Sequence, residues 1–258
     1  MATRAARAAA PLTAFVLHRY DWSESSLILD LFTREQGRLA IAAKGAKRPH
    51  SQLRTVLLPF QRIHVSLGRL PSGDSASEVQ TLRSAEWAGG AAMLTGAALF
   101  SGFYLNELLM KLMARHDPHV ALFDAYAQTL PSLAASDDAQ VQSALRAFEL
   151  TLLKEVGVLP DLSLVTLTQQ LVSEGKRYSL LPEAGVAAPR GGEGELSGSV
   201  LTGAQAALDH GSLPGLQRAC AGALPELKVT LRNLLHYHLG SSLLRTRQVM
   251  MEVQSLER

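Results

Sequence analysis

The 258-residue sequence has one cysteine, Cys220, and aromatic side chains make up only 5% of it. A single cysteine cannot form an internal disulfide or the paired CxxC units of a zinc ribbon, and it favours a reducing compartment. No run approaches the roughly 20 uncharged apolar residues of a membrane span. The most apolar stretch, residues 94–113, is interrupted by Asn106, Glu107 and Lys111. We therefore expect a cytoplasmic protein that does not enter a membrane.

Acidic residues are missing from one part of the chain. Between Arg38 and Arg69 there are seven basic residues and two histidines but no Asp or Glu. Residues 1–70 carry eleven Lys or Arg against four acids, whereas the remainder carries fourteen against nineteen. The N-terminal third is therefore expected to bind an anion. A metal-dependent DNA hydrolase, which needs a cluster of carboxylates, is disfavoured by the same stretch.

Motifs for catalysis are also lacking. There is no GxxxxGK[ST] phosphate loop, which argues against an ATP-driven motor. The pairs His116/His119 and His236/His238 do not have the HExxH spacing of a zinc site. Cys220 lies in an alanine-rich segment without a neighbouring base. We expect no catalytic residue, no metal and no cofactor, and hence a protein that is not an enzyme.

The N-terminal third has the short alternating apolar runs of β-strands. Gly37 suits a hairpin turn with a positive φ, and Lys44–Gln52 has no period and is predicted to be a loop. Little helix is expected before residue 88, so the strands predict a small barrel. The predicted strands are Leu12–His18, Leu27–Phe32, Arg38–Ala43, Phe60–Leu67 and Glu78–Glu86.

The remainder changes to helical periodicity. Leu105, Leu108, Leu109 and Leu112 follow the spacing of a buried helix face. Further helices are predicted between Pro118 and Pro131, from Asp137 to Gly157 and from Leu224 to Leu239, with an irregular excursion of loops and short strands near 161–198. The fold class is α+β, with a barrel domain at 1–87 and a mainly helical domain at 88–258.

The basic residues of the barrel are candidates for nucleic-acid binding because they lie on and between predicted strands, where they can line a groove. Tyr20, Trp22 and Phe60 are candidates for stacking on bases. Two alternatives remain open, a solvated basic loop with the aromatics in the core, and a groove for an acidic protein or membrane surface. The candidate DNA-binding residues are Arg34, Arg38, Lys44, Lys47, Arg48, Arg54 and Arg62.

At these residues the sequence resembles the RecO family of bacterial recombination mediators. The resemblance covers nearly the whole chain and depends on many short motifs in order, not on a single one. They include Phe15-Val16-Leu17-His18, Ser23-Glu24-Ser25-Ser26-Leu27, Gly37-Arg38, Ala43-Lys44-Gly45-Ala46, Leu58-Pro59-Phe60, Ser101-Gly102-Phe103-Tyr104-Leu105-Asn106-Glu107 and Leu145-Arg146-Ala147-Phe148-Glu149-Leu150.

The resemblance implies an oligonucleotide-binding (OB) barrel followed by a helical domain. It implies binding of single- and double-stranded DNA, annealing of complementary strands and a nucleoid-associated location. It also implies partnership with RecR and the single-strand DNA-binding protein in loading the RecA recombinase. Some members hold zinc through cysteines in the irregular excursion. This chain has no cysteine there, so no metal is expected.

The resemblance further implies that Arg146 binds the acidic C-terminal tail of the single-strand DNA-binding protein. On a helix Arg146, Leu150 and Leu153 share a face, which places a cation beside apolar surface for a carboxylate-bearing peptide end. An ordinary Arg146–Glu149 surface pair is the alternative. For the whole protein, the competing hypothesis is an adaptor that binds acidic partner segments and touches DNA only incidentally.

Overall fold

The computed structural model describes residues 10–68, 79–90, 93–240 and 244–256. They belong to two compact units, one comprising the chain to Met93 with Met113–Val120, the other comprising Leu94–Leu112 with the chain from Ala121. The first unit thus includes a segment, 113–120, that sequence periodicity assigns to the helical part. Residues 69–78, which include the start of the last predicted barrel strand at Glu78, lie outside the described residues.

The first unit is a closed five-stranded barrel with the strand order β1-β2-β3-β5-β4, and this confirms the predicted OB barrel. Neighbouring strands are antiparallel except β3 and β5, which pair in parallel. A single helical turn, α1, precedes β4. The elements are β1 (Leu12–Asp21), β2 (Leu27–Thr33), β3 (Gly37–Ala43), α1 (Leu53–Val56), β4 (Arg62–Leu67) and β5 (Gln80–Trp87).

Alternation along the strands builds the barrel core. Val16, Leu29, Leu31 and Ile41 point inward and are fully buried. β1 continues three residues beyond the predicted end at His18, and its last four residues are exposed although they remain paired with β2. The end of β1 therefore extends past the core and presents its side chains to solvent.

Gly37 fixes the turn between β2 and β3. Its φ of 69° fits the predicted hairpin, because only glycine adopts that region freely. A Cβ at this position would overlap the backbone carbonyl of Asp117. The His116 N–H also donates to the Arg38 carbonyl at 3.0 Å, so the 113–120 segment packs against this end of the barrel.

The second unit is mainly helical, as predicted, and contains the short strands expected near 161–198. The helices are α2 (Gly96–Leu112), α3 (Val120–Leu133), α4 (Asp138–Glu155), α5 (Gly198–Asp209), α6 (Leu213–Ala221), α7 (Leu224–Leu239) and α8 (Arg245–Leu256). The strands are β6 (Leu164–Val165), β7 (Gln170–Leu171), β8 (Arg177–Leu181), β9 (Gly185–Ala187) and β10 (Leu196–Ser197).

Two details of the helical prediction are wrong. The second helix begins at Val120 instead of Pro118, and Pro131 lies inside it because a proline in the last turn removes only one backbone hydrogen bond. Helices α5, α6 and α8 were not predicted, although Ser197 and Ser212 cap the N-termini of the first two. Among the helices of the described residues, none combines the length and the hydropathy needed to cross a bilayer.

Candidate functional site

The predicted basic residues divide between two ends of the barrel. β3 runs from Gly37 to Ala43, so Arg34 and Arg38 lie at its start, and Lys44, Lys47 and Arg48 follow its end. Seven residues at about 3.3 Å each separate the two groups by roughly 20 Å. The seven candidates therefore do not form one surface.

The end beyond Ala43 is strongly basic, and we call it the basic end. It consists of residues 18–26 and 44–56, which contain five Lys or Arg but only two acids, Asp21 and Glu24. Hydrogen bonds join its two loops, because the Lys47 N–H donates to the Ser25 carbonyl at 2.9 Å and the Gly45 N–H to the Ser26 hydroxyl at 3.3 Å.

A groove of about 800 Å³ opens at the basic end. It is lined by three cationic residues, one acid, one tyrosine and four apolar residues, namely Arg19, Lys47, Arg54, Asp21, Tyr20, Leu27, Ala46, Leu53 and Leu58. Lys47 is engaged by the Asp21 carboxylate at 3.1 Å and the Ser23 carbonyl at 3.1 Å. Arg19, which sequence reasoning missed, reaches this groove because β1 extends beyond the core.

The opposite end of the barrel is different. The Arg38 guanidinium binds both oxygens of the buried Asp30 carboxylate, at 2.8 and 2.9 Å, and donates to the Met113 carbonyl at 3.1 Å. The segments at this end, residues 30–38 and 113–120, contain three arginines (Arg34, Arg38 and Arg115) and three acids (Asp30, Glu35 and Asp117). Arg38 thus links the barrel to the 113–120 segment, and Arg34 is exposed on the β2–β3 turn.

The remaining candidates are exposed. Lys44 and Arg48 lie in the loop after β3, and Arg62 begins β4, outside the groove. Of the aromatic candidates, Tyr20 and Trp22 are exposed at the basic end, whereas Phe60 is buried. Stacking by Phe60 is therefore ruled out by its position in the core.

The helical unit has its own cavity, of about 390 Å³, formed by α2, α4, α7 and α8. Arg146 of α4 lines it with three further cations, Lys228 and Arg232 of α7 and Arg247 of α8. Its apolar wall contains Phe100, Leu145, Leu235, Leu244, Met250 and Met251. A cavity with many cations and an apolar wall suits an anionic group attached to apolar side chains.

Arg146 and Glu149 form a buried pair, not the surface pair considered above. Arg146 donates to Glu149 Oε1 at 2.8 Å, and the Tyr104 hydroxyl donates to the same oxygen at 2.7 Å. Burial raises the pKa of Glu149, and Arg146 opposes that effect. Burial, with the adjacent carboxylate, holds the pKa of Tyr104 well above its ordinary value, so Tyr104 remains a neutral donor.

Two polar atoms of this pair have no partner within the described part of the chain, Arg146 Nε and Glu149 Oε2, and both are buried. Such atoms are rare in proteins because each one costs the free energy of its lost hydration. The pair is therefore a place where a polar ligand group or water can add hydrogen bonds.

Leu150 and Leu153 do not supply the apolar wall that was predicted for them. Both are buried in the core of the helical unit at 1% exposure and are not among the residues that line the cavity. The face of α4 that meets the cavity runs through Gln142, Leu145, Arg146 and Glu149 instead. Lys228, Arg232 and Leu235 were missed, although their i, i+4, i+7 spacing places them on one face of α7.

His236 also lines this cavity, and it is not one of its cations at neutral pH. Burial lowers the pKa of His236, and the nearby Arg247 and Arg232 guanidinium groups lower it further. The smaller part of this lowering of the pKa, which the two guanidinium groups cause, reflects the positive charge around the cavity.

Two family models match the chain in succession, Recombination protein O N terminal over residues 11–90 and Recombination protein O C terminal over residues 93–248. The chain belongs to the RecO family. Its relatives include proteins named DNA repair protein RecO from Polaromonas naphthalenivorans, 51% identical over 94% of this chain and 96% of the relative, and from Verminephrobacter eiseniae, 49% identical over 98% and 99%.

The zinc site of some RecO members does not fit this chain. Residues 161–198 contain no cysteine and no histidine, so thiolate and imidazole ligands are missing from the sequence there. In the described residues, no group of three or more His, Cys, Asp or Glu side chains is arranged to hold a metal.

Proposed function

We propose that this chain is a non-enzymatic recombination mediator in DNA repair, which binds single- and double-stranded DNA and anneals complementary strands. The observation that carries the proposal is the basic end of the barrel, where exposed cations surround a groove. Membership in a family whose relatives are named DNA repair proteins supports it.

The mechanism is electrostatic. Two complementary strands repel each other through their phosphates, and cations at the barrel surface reduce that repulsion while leaving base pairing to select the product. Duplex formation is downhill once the strands meet, so nucleotide hydrolysis is not required. Arg19, Lys44, Arg48 and Arg54 are exposed at the basic end and are the cations we assign to this task.

The cavity of the helical unit is proposed to bind the acidic C-terminal tail of the single-strand DNA-binding protein. Lys228, Arg232 and Arg247 supply cations for its carboxylates, and the apolar wall accepts its apolar end. Arg146 is held by Glu149 and contributes from the base of the cavity. Cooperation with RecR and loading of RecA are further parts of the proposal and rest on the family.

Annealing by the purified protein alone separates this proposal from the adaptor hypothesis. Complementary fluorescent oligonucleotides should anneal several-fold faster with the protein than without it, and an adaptor should not accelerate them. The triple variant Arg48→Ala, Arg54→Ala, Lys44→Ala should lose most of the acceleration, whereas Arg34→Ala at the other end should keep it. Normal annealing by the triple variant would contradict the assignment of the basic end.

Salt provides a second test. If about four phosphates are neutralised on a single strand, the slope of log affinity against log salt is roughly −0.7 × 4, or near −3. A fourfold increase in salt should then weaken oligonucleotide binding about 50-fold. An affinity that does not change with salt would rule out binding through phosphates.

A further inference from the structure

We propose that the cavity of the helical unit binds a carboxylate and a proton together, and that Glu149 takes up this proton on Oε2 when an acidic ligand binds. The inference rests on the proposed binding of an acidic peptide tail and adds a proton-coupled step to it. It follows from three observations: the cavity is cationic except for Glu149, one oxygen of Glu149 has no partner, and Arg146 is a cation that Glu149 and the ligand would share.

Glu149 is the only acid among the described residues that line the cavity. Four cations from three helices surround it, Arg146 of α4, Lys228 and Arg232 of α7, and Arg247 of α8. These cations attract a carboxylate, whereas an ionised Glu149 repels it and cancels part of their charge. A cavity with this lining therefore binds an anion best when Glu149 is neutral.

The hydrogen bonds of Glu149 leave one of its two oxygens open to a proton. Oε1 accepts from the Arg146 guanidinium at 2.8 Å and from the Tyr104 hydroxyl at 2.7 Å. Oε2 is buried and has no hydrogen-bond partner within the described residues. An ionised oxygen without a donor costs more to bury than a neutral hydroxyl, so a proton bound to Oε2 lowers that cost. Oε1 remains an acceptor for both of its donors.

Arg146 is committed to Glu149 only while that carboxylate is charged. The side chain of Arg146 is 8% exposed and that of Glu149 is 1% exposed, so the ion pair is almost completely removed from water. A ligand carboxylate at Arg146 places two acids beside one cation, and in such a setting one acid holds a proton. Glu149 is the acid that takes it, because burial raises its pKa against the opposing effect of Arg146.

The other titratable groups around Glu149 respond differently to an anion. Burial raises the pKa of Tyr104 of α2 and of Cys220 of α6, the latter to about 12, so both groups stay neutral. The Arg232 guanidinium of α7 also interacts with the carboxylate and stays charged. His236 of α7 can gain a proton as well, because burial and nearby guanidinium groups lower its pKa and an anion in the cavity would oppose the latter effect. The experiment must therefore separate His236 from Glu149.

The experiment measures proton uptake when the full-length protein binds a short peptide of aspartates that ends in leucine with a free carboxylate. Isothermal titration calorimetry at neutral pH, in two buffers of different ionisation enthalpy, gives the number of protons taken up. The parent should take up close to one proton. Its affinity should rise by up to about tenfold per pH unit as the pH falls, because binding raises the pKa of Glu149. In difference infrared spectra, binding should produce the carbonyl band of a protonated, buried carboxyl group.

Two variants show where the proton resides. Glu149→Gln is a permanently neutral side chain of the same shape, so it should bind the peptide several-fold more tightly than the parent at neutral pH and lose most of the proton uptake. A role of Glu149 in folding alone would not produce tighter binding. His236→Asn removes the other group that can gain a proton and should keep the uptake. Thermal unfolding should show that both variants are folded, and the infrared band of the parent tests the proposal without them.

Three outcomes would overturn the proton-coupled site and leave the proposed peptide site intact. The first is binding by the parent without proton uptake, and the second is weaker binding by a folded Glu149→Gln. The third is uptake that survives in Glu149→Gln and disappears in His236→Asn, because the proton would then reside on His236. A parent protein that does not bind the peptide would overturn the proposed function of the cavity itself.

Discussion

The barrel groove and the helical cavity are both lined by arginines, but Arg54 of the groove and Arg146 of the cavity have opposite environments. At the groove, Arg54 is exposed and has no ion pair within the described residues. In the cavity, Arg146 is 6% exposed and its charge is paired with the fully buried Glu149. An exposed cation is available to an anion and weakened by salt, whereas a buried one is committed to its partner. The comparison shows that the environment of an arginine determines whether it can bind an external anion or instead stabilises the fold.

The largest effect should come from breaking the buried pair. Glu149→Ala leaves the Arg146 guanidinium and the Tyr104 hydroxyl without their shared acceptor. The free energy of unfolding should fall by about 3–5 kcal/mol, as for other buried pairs that lose one partner. Denaturant unfolding followed by circular dichroism measures this change.

Two matched variants sharpen that result. Glu149→Gln keeps a carbonyl acceptor for Tyr104 and Arg146 and should lose clearly less stability than Glu149→Ala. Arg54→Ala at the groove should change the unfolding free energy by less than about 0.5 kcal/mol, because exposed cations seldom stabilise the fold. Equal losses in Glu149→Ala and Arg54→Ala would remove the distinction between the two sites.

A smaller effect is expected for the cations at the mouth of the cavity. Arg232→Ala should weaken binding of an acidic, apolar-ended peptide about tenfold, since a hydrogen bond to a charged group contributes about 1.5 kcal/mol or more. Oligonucleotide binding should not change, because the two sites belong to different compact units and have no residue in common. Peptide anisotropy measures the effect.

Arg34→Ala is the control for this prediction because it removes an exposed cation of the barrel and leaves the cavity intact. If Arg232→Ala binds the peptide as tightly as Arg34→Ala, the cavity is not the peptide site. Arg232 is a better probe than Arg146, because removing Arg146 would also leave the buried Glu149 carboxylate without its cation.

Sequence patterns predicted the barrel and the four helices α2, α3, α4 and α7 because these elements depend on local periodicity. The alternation at Leu29 and Leu31 and the turn at Gly37 correctly predicted strands β2 and β3. Phe15 and Phe32 are buried as well as the inward-facing residues beside them, so both faces of these strands are covered. The sequence could not predict this burial, because it depends on segments that are distant in the chain.

The sites were harder to predict than the fold for the same reason. The sequence showed that residues 38–69 are basic. It did not show that these residues divide between a basic groove and a neutral end of the barrel, because that division depends on strand β3, which separates Lys44 from Arg38. Arg38 pairs with Asp30 eight positions earlier because the two lie on adjacent strands, which linear spacing does not reveal. Lys228 and Arg232 shared a visible helix face, and only the unpredicted α8 completes their cavity.

The smallest predicted effect concerns how α8 is held at the cavity. Glu107 of α2 accepts hydrogen bonds from the backbone N–H groups of Arg245 and Thr246, each at 2.9 Å, and from the Thr246 hydroxyl at 2.7 Å. A carboxylate at a helix N-terminus is stabilised by the helix dipole. Glu107→Gln keeps one acceptor but loses the charge, so α8 should be held less firmly by about 1 kcal/mol.

The same contact predicts a dependence on pH. Burial by itself raises the pKa of Glu107, but the hydrogen bonds from Thr246, Arg245 and Lys111 together lower it below its ordinary value. A carboxyl with a lowered pKa stabilises the folded state above its unfolded pKa of about 4.3 and loses that contribution as pH falls through its folded pKa. In hydrogen exchange read by mass spectrometry, residues 244–256 of the parent should lose protection only below the pH range in which an ordinary glutamate titrates, whereas Glu107→Gln should show the reduced protection at neutral pH. If residues 244–256 of Glu107→Gln are as protected as those of the parent at neutral pH, α8 is held by its apolar contacts alone. Helix α8 would then line the cavity without the help of Glu107.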